Sequence, residues 1–246
     1  MDEFYGQTLQ AYHLALINHD VAVRHLSGED LRLDGARLQP EDQVEVFPDV
    51  SLDTLGFAHL FGVFNGSRVH RQRESRTSLD DAPPGLYYTV IHTHLIQNQH
   101  KNRIGIAQTE GGLDMFVGEM FVDHIFLNGR KTPPLLGTIT FALSAITAFL
   151  LGIRWIELIA AGGVGYSRAH HGFKVWPKLG FDAPVEPEEV AGAPNLAHCQ
   201  TVQEVLAIDP TWWEGNGSQR LMRFDLAADS RSWRKLLSYL DSKGEF

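Results

Sequence analysis

Cysteine is almost missing from this sequence: Cys199 is the only one in 246 residues. One thiol cannot close an intramolecular disulfide, which excludes a small disulfide-stapled scaffold. Basic residues are in deficit, 21 Lys plus Arg against 30 Asp plus Glu, for a formal charge of −9. A field of that sign does not draw the chain to nucleic acid or to an anionic membrane, so neither partner is expected. The opening MDEFYGQTLQAYHLAL is acidic and has no basic segment ahead of an apolar run. No secretory leader is therefore expected, and the reducing cytoplasm is the expected compartment. Metal-site signatures such as CxxC and HExxH are absent, as are internal repeats and low-complexity tracts. What is present is 43% hydrophobic residues, enough for one sizeable core or two small ones.

Along the chain, Tyr5, Leu9, Tyr12 and Leu16 recur three to four residues apart and predict an amphipathic helix that docks one face on a core. Residues 25–53 are polar and punctuated (SGED, DGAR, QPED, FPDV) and read as irregular, with room for a short strand. The apolar stretch 54–64 ends at Asn65-Gly66, a turn dipeptide. Residues 68–84 are polar and highly charged, end in Pro83-Pro84, and read as an exposed loop. Strands are predicted at 86–96 and 115–127. In the second, Phe116, Gly118, Met120, Val122, His124 and Phe126 share one face, and Val117, Glu119, Phe121, Asp123 and Ile125 the other. A short strand around 103–108 and a Gly111-Gly112 turn are expected between them.

Residues 135–153 (LLGTITFALSAITAFLLGI) are nineteen residues without a charge, the length of a membrane span. Three threonines, a serine, basic residues at both ends and an immediate return to a strand-like run favour a buried central helix. Thr132 as N-cap and Pro133 at the first helical position would start it. A strand at 155–161 follows, then a flexible turn at 162–165 and a short helix at 167–179 that stops at Gly180. A strand at 219–227 precedes a last helix capped by Ser230, with Trp233, Leu236, Leu237 and Leu240 as its apolar stripe.

The segment 168–182 (RAHHGFKVWPKLGFD) carries an intact Lys178-Leu179-Gly180-Phe181 after a strand, a long helix and a strand. This order resembles the last motif of the GNAT acyltransferase superfamily, and the resemblance covers about half the chain. It implies an α/β fold: a GNAT-like mixed central sheet flanked by helices over 85–246, with a helical and irregular extension over 1–84 packed on it. It also implies an acyl-CoA-dependent N-acyltransferase, with acetyl-CoA or another acyl-CoA as donor and a small-molecule or peptide amine as acceptor. In that family the pyrophosphate sits at the N-terminus of the long helix, where unpaired amides and the helix dipole receive it. The matching residues are Leu127, Arg130, Lys131, Gly137 and Thr138. The sequence departs from the family's glycine-rich loop at Thr132-Pro133-Pro134-Leu135, where two prolines supply no N–H. It departs again at Trp176, where the family often has an acidic tyrosine; Tyr166 is the nearest substitute as proton donor. The base that takes the acceptor's proton is sought among Glu119, Asp123 and Glu157, with Glu119 and Glu157 leading because a carboxylate in an apolar strand needs a reason. The alternative is a GNAT-like domain without a standard CoA site, serving as a binding module or using another activated donor.

Other constellations read more plainly. His92 and His94, i and i+2 in an expected strand, share a face as metal ligands do, but no motif accompanies them and no metal is expected. Gly162-Gly163-Val164-Gly165 lacks a dinucleotide fingerprint. Trp212-Trp213 reads as packing of the C-terminal strand, with a ligand-stacking surface as the alternative, and Cys199 as an ordinary thiol. Arg68, Arg71, Arg73 and Arg76 form the one basic patch.

Overall fold

A computed structural model describes residues 2–47, 49–77, 82–97, 100–109, 117–167 and 170–246. The expected Gly111-Gly112 turn, the start of the 115–127 strand, and Arg168-Ala169 of the motif segment lie outside them. The architecture is mixed α/β, and the chain divides into two compact units, 1–156 with Phe246 and 157–245.

The first unit begins with α1 (Asp2–Phe4), a π-helical turn (Tyr5–Leu9), α2 (Gln10–Asn18) and α3 (Asp20–His25). Leu9 and Leu16 are fully buried, as the stripe requires. The segment expected to be irregular holds four short strands, β1 (Arg32–Leu33), β2 (Ala36–Arg37), β3 (Val44–Phe47) and β4 (Val50–Leu52). Asp34 and Gly35 between β1 and β2 both have positive φ, as a two-residue hairpin of type I′ demands. Helix α4 (Thr54–Phe61) is capped by Asp53, whose carboxylate accepts the Gly56 amide at 2.7 Å, and ends at Gly62 in the left-handed region.

Then come β5 (Arg68–Glu74), β6 (Gly85–Ile91), β7 (Asn102–Thr109) and β8 (Val117–His124). Within this unit the strand order is β8-β7-β6-β5-β1-β2, antiparallel throughout except for the parallel β1–β5 pair. Strand β5 corrects the expected exposed loop. Of its residues only Val69 is buried, so its side chains look like a loop's. Strands on both sides nevertheless pair its backbone, and that pairing is invisible in composition. Strand β6 is shorter than expected, which puts His92 and His94 beyond it in a turn.

Helix α5 (Leu136–Leu150) is the apolar run, with an unbroken buried stretch from Phe141 to Phe149. Among the described residues no helix is long and apolar enough to cross a membrane. Thr132 does not cap it, a correction to the sequence reading. The helix starts at Leu136, Leu135 precedes it at φ 65°, and both prolines lie in the turn ahead of it. Helices α4 and α5 cover one face of the first unit's sheet. Phe57 and Phe61 bring their rings to 4.9 and 4.5 Å from Tyr88 of β6, and Ser144 donates to Leu60 O at 2.7 Å and lies 3.9 Å from Met120 of β8.

In the second unit β9 (Trp155–Gly163), which starts at the boundary, neighbours β10 (Ser218–Asp225). Between them lie α6 (Gly172–Val175), a 3-10 turn (Trp176–Leu179), α7 (Pro187–Val190), α8 (Val202–Ile208) and α9 (Pro210–Asn216). The chain closes with α10 (Arg231–Asp241), capped by Ser230 as expected. Gly180 stops the short helix at φ 101°, and a Cβ there would stand 2.4 Å from Ser232 O. The glycine of the K-L-G-F run is thus demanded by a left-handed turn and by close approach of α10. Phe181, Phe224 and Trp233 follow in edge-to-face contact.

Candidate functional site

Two places in the first unit concentrate polar groups that packing alone does not require. One is the entrance to α5. After β8 the chain turns through Asn128, whose carbonyl accepts the amides of Lys131 and Thr132 at 2.9 and 2.8 Å. Arg130 and Lys131 are exposed on this turn. Helical bonding begins with Leu136 N–H to Pro133 O at 3.3 Å and Ile139 N–H to Leu135 O at 2.8 Å. Between them the Gly137 and Thr138 amides have no backbone acceptor among the described residues, and no side chain caps the helix. A Cβ on Gly137 would stand 3.0 Å from the Leu127 δ-carbon, so Leu127, Gly137 and Thr138 form one local surface beside Arg130 and Lys131. Because the prolines precede the helix, they do not remove donors from its first turn. The departure noted in the sequence costs the site less than expected.

The other place is the sheet face away from α4 and α5. Arg103 of β7 is buried and reaches Asp123 of β8 through Nη1 at 2.6 Å and Glu74 of β5 through Nη2 at 2.7 Å, while its guanidinium lies 4.0 Å over the Tyr87 ring. A register shift in the β7–β8 pairing sets Arg103 opposite His124 and Ile104 opposite Val122, so Asp123 and His124 share one partner position. Such a bulge turns both side chains toward the same neighbour. His124 Nδ1 lies 2.9 Å from Asp123 Oδ1, the arrangement by which a carboxylate orients an imidazole. Burial pushes the Asp123 carboxyl up, but hydrogen bonds from His124 and Arg103, with their charges, outweigh it and hold it below the usual range. Burial pushes the Tyr87 hydroxyl up, and that hydroxyl donates to Pro83 O at 2.7 Å. A Cβ on Gly105, opposite Tyr87, would enter the ring at 2.4 Å, so this glycine makes room for the stack.

The expected catalytic residues fall in different settings. Glu119 of β8 is half-buried opposite Ala107, and its carboxylate makes no ion pair or hydrogen bond among the described residues. Asp123 is committed to Arg103 and His124. Glu157 of β9 is tied to Arg223 of β10, which donates through Nε at 2.8 Å and Nη2 at 2.5 Å. Tyr166 sits in the turn after β9 with about half its surface exposed. Sequence reading missed Arg103 and the joint placement of Asp123 and His124, because only strand register brings them together.

Among the described residues no group of three His, Cys, Asp or Glu is arranged for a metal ion. His92 Nε2 lies 3.1 Å from Asn65 O, and its Nδ1 accepts the amides of His94 and Leu95. Trp213 is buried and donates to Phe173 O. Cys199 is buried, with its thiol pushed up by desolvation. The second unit holds an open cleft of about 330 Å³ lined by Asp182, Gln203, Arg223 and Arg231, where burial pushes the Asp182 carboxyl up. Comparison of the chain with protein-family models, with curated proteins and with solved structures returns no match.

Proposed function

We propose that the chain is an acyl-CoA-dependent N-acyltransferase of GNAT-like fold. The observation that carries the proposal is the entrance to α5: an antiparallel run of strands delivers the chain through a tight basic turn into a long helix whose Gly137 and Thr138 amides lack acceptors. Such a helix start receives the two negative phosphates of CoA through amides and dipole, with Arg130 and Lys131 adding charge at the rim and Leu127 an apolar contact. The element order also agrees with the family that the K-L-G-F segment resembles: antiparallel β5 to β8, then α5, β9, the short helix ended by Gly180, and β10.

In the proposed reaction an amine attacks the thioester carbonyl as its proton passes to a carboxylate. The tetrahedral intermediate then collapses to an amide and CoA thiolate, which leaves with a proton. Glu119 is the proposed base, since its carboxylate is uncommitted whereas Asp123 and Glu157 are held by arginines. The proton-donor role of Tyr166 rests on the family resemblance alone.

The test is calorimetric titration with acetyl-CoA. Saturable one-to-one heat is expected, weakened at least about tenfold by Gly137→Glu, which sets a carboxylate among the donors. Absence of heat with the unmodified protein overturns the proposal in favour of a domain using another donor, and CoA co-purifying with the protein disposes of that alternative.

A further inference from the structure

Arg68, one residue of the basic patch noted in the sequence, stands in an ordered row with two arginines from outside that patch. Strand register sets Arg32 of β1 opposite Arg37 of β2 and also opposite Arg68 of β5, so three arginines stand side by side across adjacent strands. All three are exposed, while Val69, next to Arg68, is buried on the helix-covered side. Directly paired residues share a face, so the row lies on the side of the sheet away from α4 and α5. In the hairpin Leu33 pairs with Ala36 at the turn, and Leu38 N–H donates to Leu31 O at 2.9 Å. Arg32 and Arg37 therefore form the intervening non-hydrogen-bonded pair, the closer of the two kinds. Arg37 has Asp30 at 3.4 Å, whereas Arg32 and Arg68 have no ion pair among the described residues.

Like charges directly opposite each other in a sheet repel. Guanidinium forks in a row are matched to the oxygens of a phosphate, which would convert that repulsion into charge-assisted hydrogen bonds. We infer that Arg37, Arg32 and Arg68 bind the phosphate groups of a small polyphosphorylated molecule. The row is short, Asp30 stands at one end and Asp34 follows β1, and the chain carries −9 overall. These acids leave no continuous basic track for a nucleic-acid backbone. Ile91 of β6, opposite Arg68 and 41% exposed, offers an apolar neighbour to the organic part of the ligand. This site is independent of the acyl-transfer proposal.

The probe is inorganic pyrophosphate, titrated calorimetrically into the Gly137→Glu protein, which removes the competing anion site at α5, in chloride buffer of matched ionic strength. Saturable heat is expected, and adding Arg32→Gln with Arg68→Gln should weaken it at least about tenfold. In anion-poor buffer the double arginine variant should melt at or above the unmodified protein, because the repulsion is relieved; a row serving only structure would melt lower. The inference is overturned by no saturable heat in Gly137→Glu, by unchanged affinity in the arginine variant, by its lower melting temperature, or by a short single-stranded oligonucleotide binding more tightly than pyrophosphate.

Discussion

The two faces of the first unit's sheet are made by the same strands, but only one of them adds a buried ion cluster to its apolar contacts. On one, Tyr88, Ile104, Ile106, Met120 and Val122 are buried, and α4 and α5 contact this layer through Phe57, Phe61 and Ser144. On the other, beside a small apolar cluster of Ala82, Tyr87 and Phe121, strands β5 to β8 and the bulge at Asp123–His124 gather Glu74, Tyr87, Asp123 and His124 around the buried Arg103 guanidinium. Apolar burial is non-directional and tolerates a neighbour's adjustment. A buried charge cluster is favourable only while every member is present, since each partner removed leaves an uncompensated ion.

The sharpest break between the faces is therefore Arg103→Ala, which strands two carboxylates. It should cost about 3–5 kcal/mol in denaturant unfolding. Replacing Arg103, Asp123 and Glu74 together by apolar residues of similar size should restore most of that loss. If the single and triple variants lose the same stability, the cluster's worth is volume, not charge.

Acid separates the faces next. His59 of α4 is buried with Nε2 3.1 Å from Leu26 O, and burial lowers its pKa to about 4. The unfolded chain binds this proton first, so stability falls as pH drops from about 6.5 toward 4, by roughly 3 kcal/mol in all. Asp123 acts lower. Its folded pKa is depressed, so its contribution is present above the unfolded value and is lost as pH falls through the folded one. Melting curves against pH should show His59→Gln flattening the first window and Asp123→Asn the second; an exchange of windows would refute the assignment.

Gly105→Ala should cost about 1–3 kcal/mol by driving a methyl into the Tyr87 ring, against little change for Gly137→Ala, whose neighbour is only the flexible end of Leu127. Between these two falls Tyr88→Phe, about 1 kcal/mol, from the hydrogen bond its hydroxyl donates to Glu45 O. Chemical denaturation of these three variants ranks them, and a Tyr88→Phe loss above that of Gly105→Ala would contradict the packing account.

The apolar face was legible in the sequence and the ionic face was not. The stripe of the first helix, the uncharged run of α5, the alternation of β9 and the stop at Gly180 each express a local period or turn that one segment carries by itself. Strand β5 hides because Val69 is its only buried residue, so nothing alternates visibly. The start of α5 was misplaced because Thr132-Pro133 fits a helix entrance that Leu135, at positive φ, postpones. Arg103, Asp123 and Glu74 lie on three strands, and only register with a bulge joins them. The same holds for the arginine row, whose members look like scattered charge until β1, β2 and β5 pair.

Hydrogen exchange of the backbone amides with and without CoA tests the acyl-CoA proposal most directly, because it reads the very donors assigned to the phosphates. The account predicts slowed exchange at Gly137 and Thr138, absent in Gly137→Glu. Binding of CoA that leaves those two amides unprotected would contradict it.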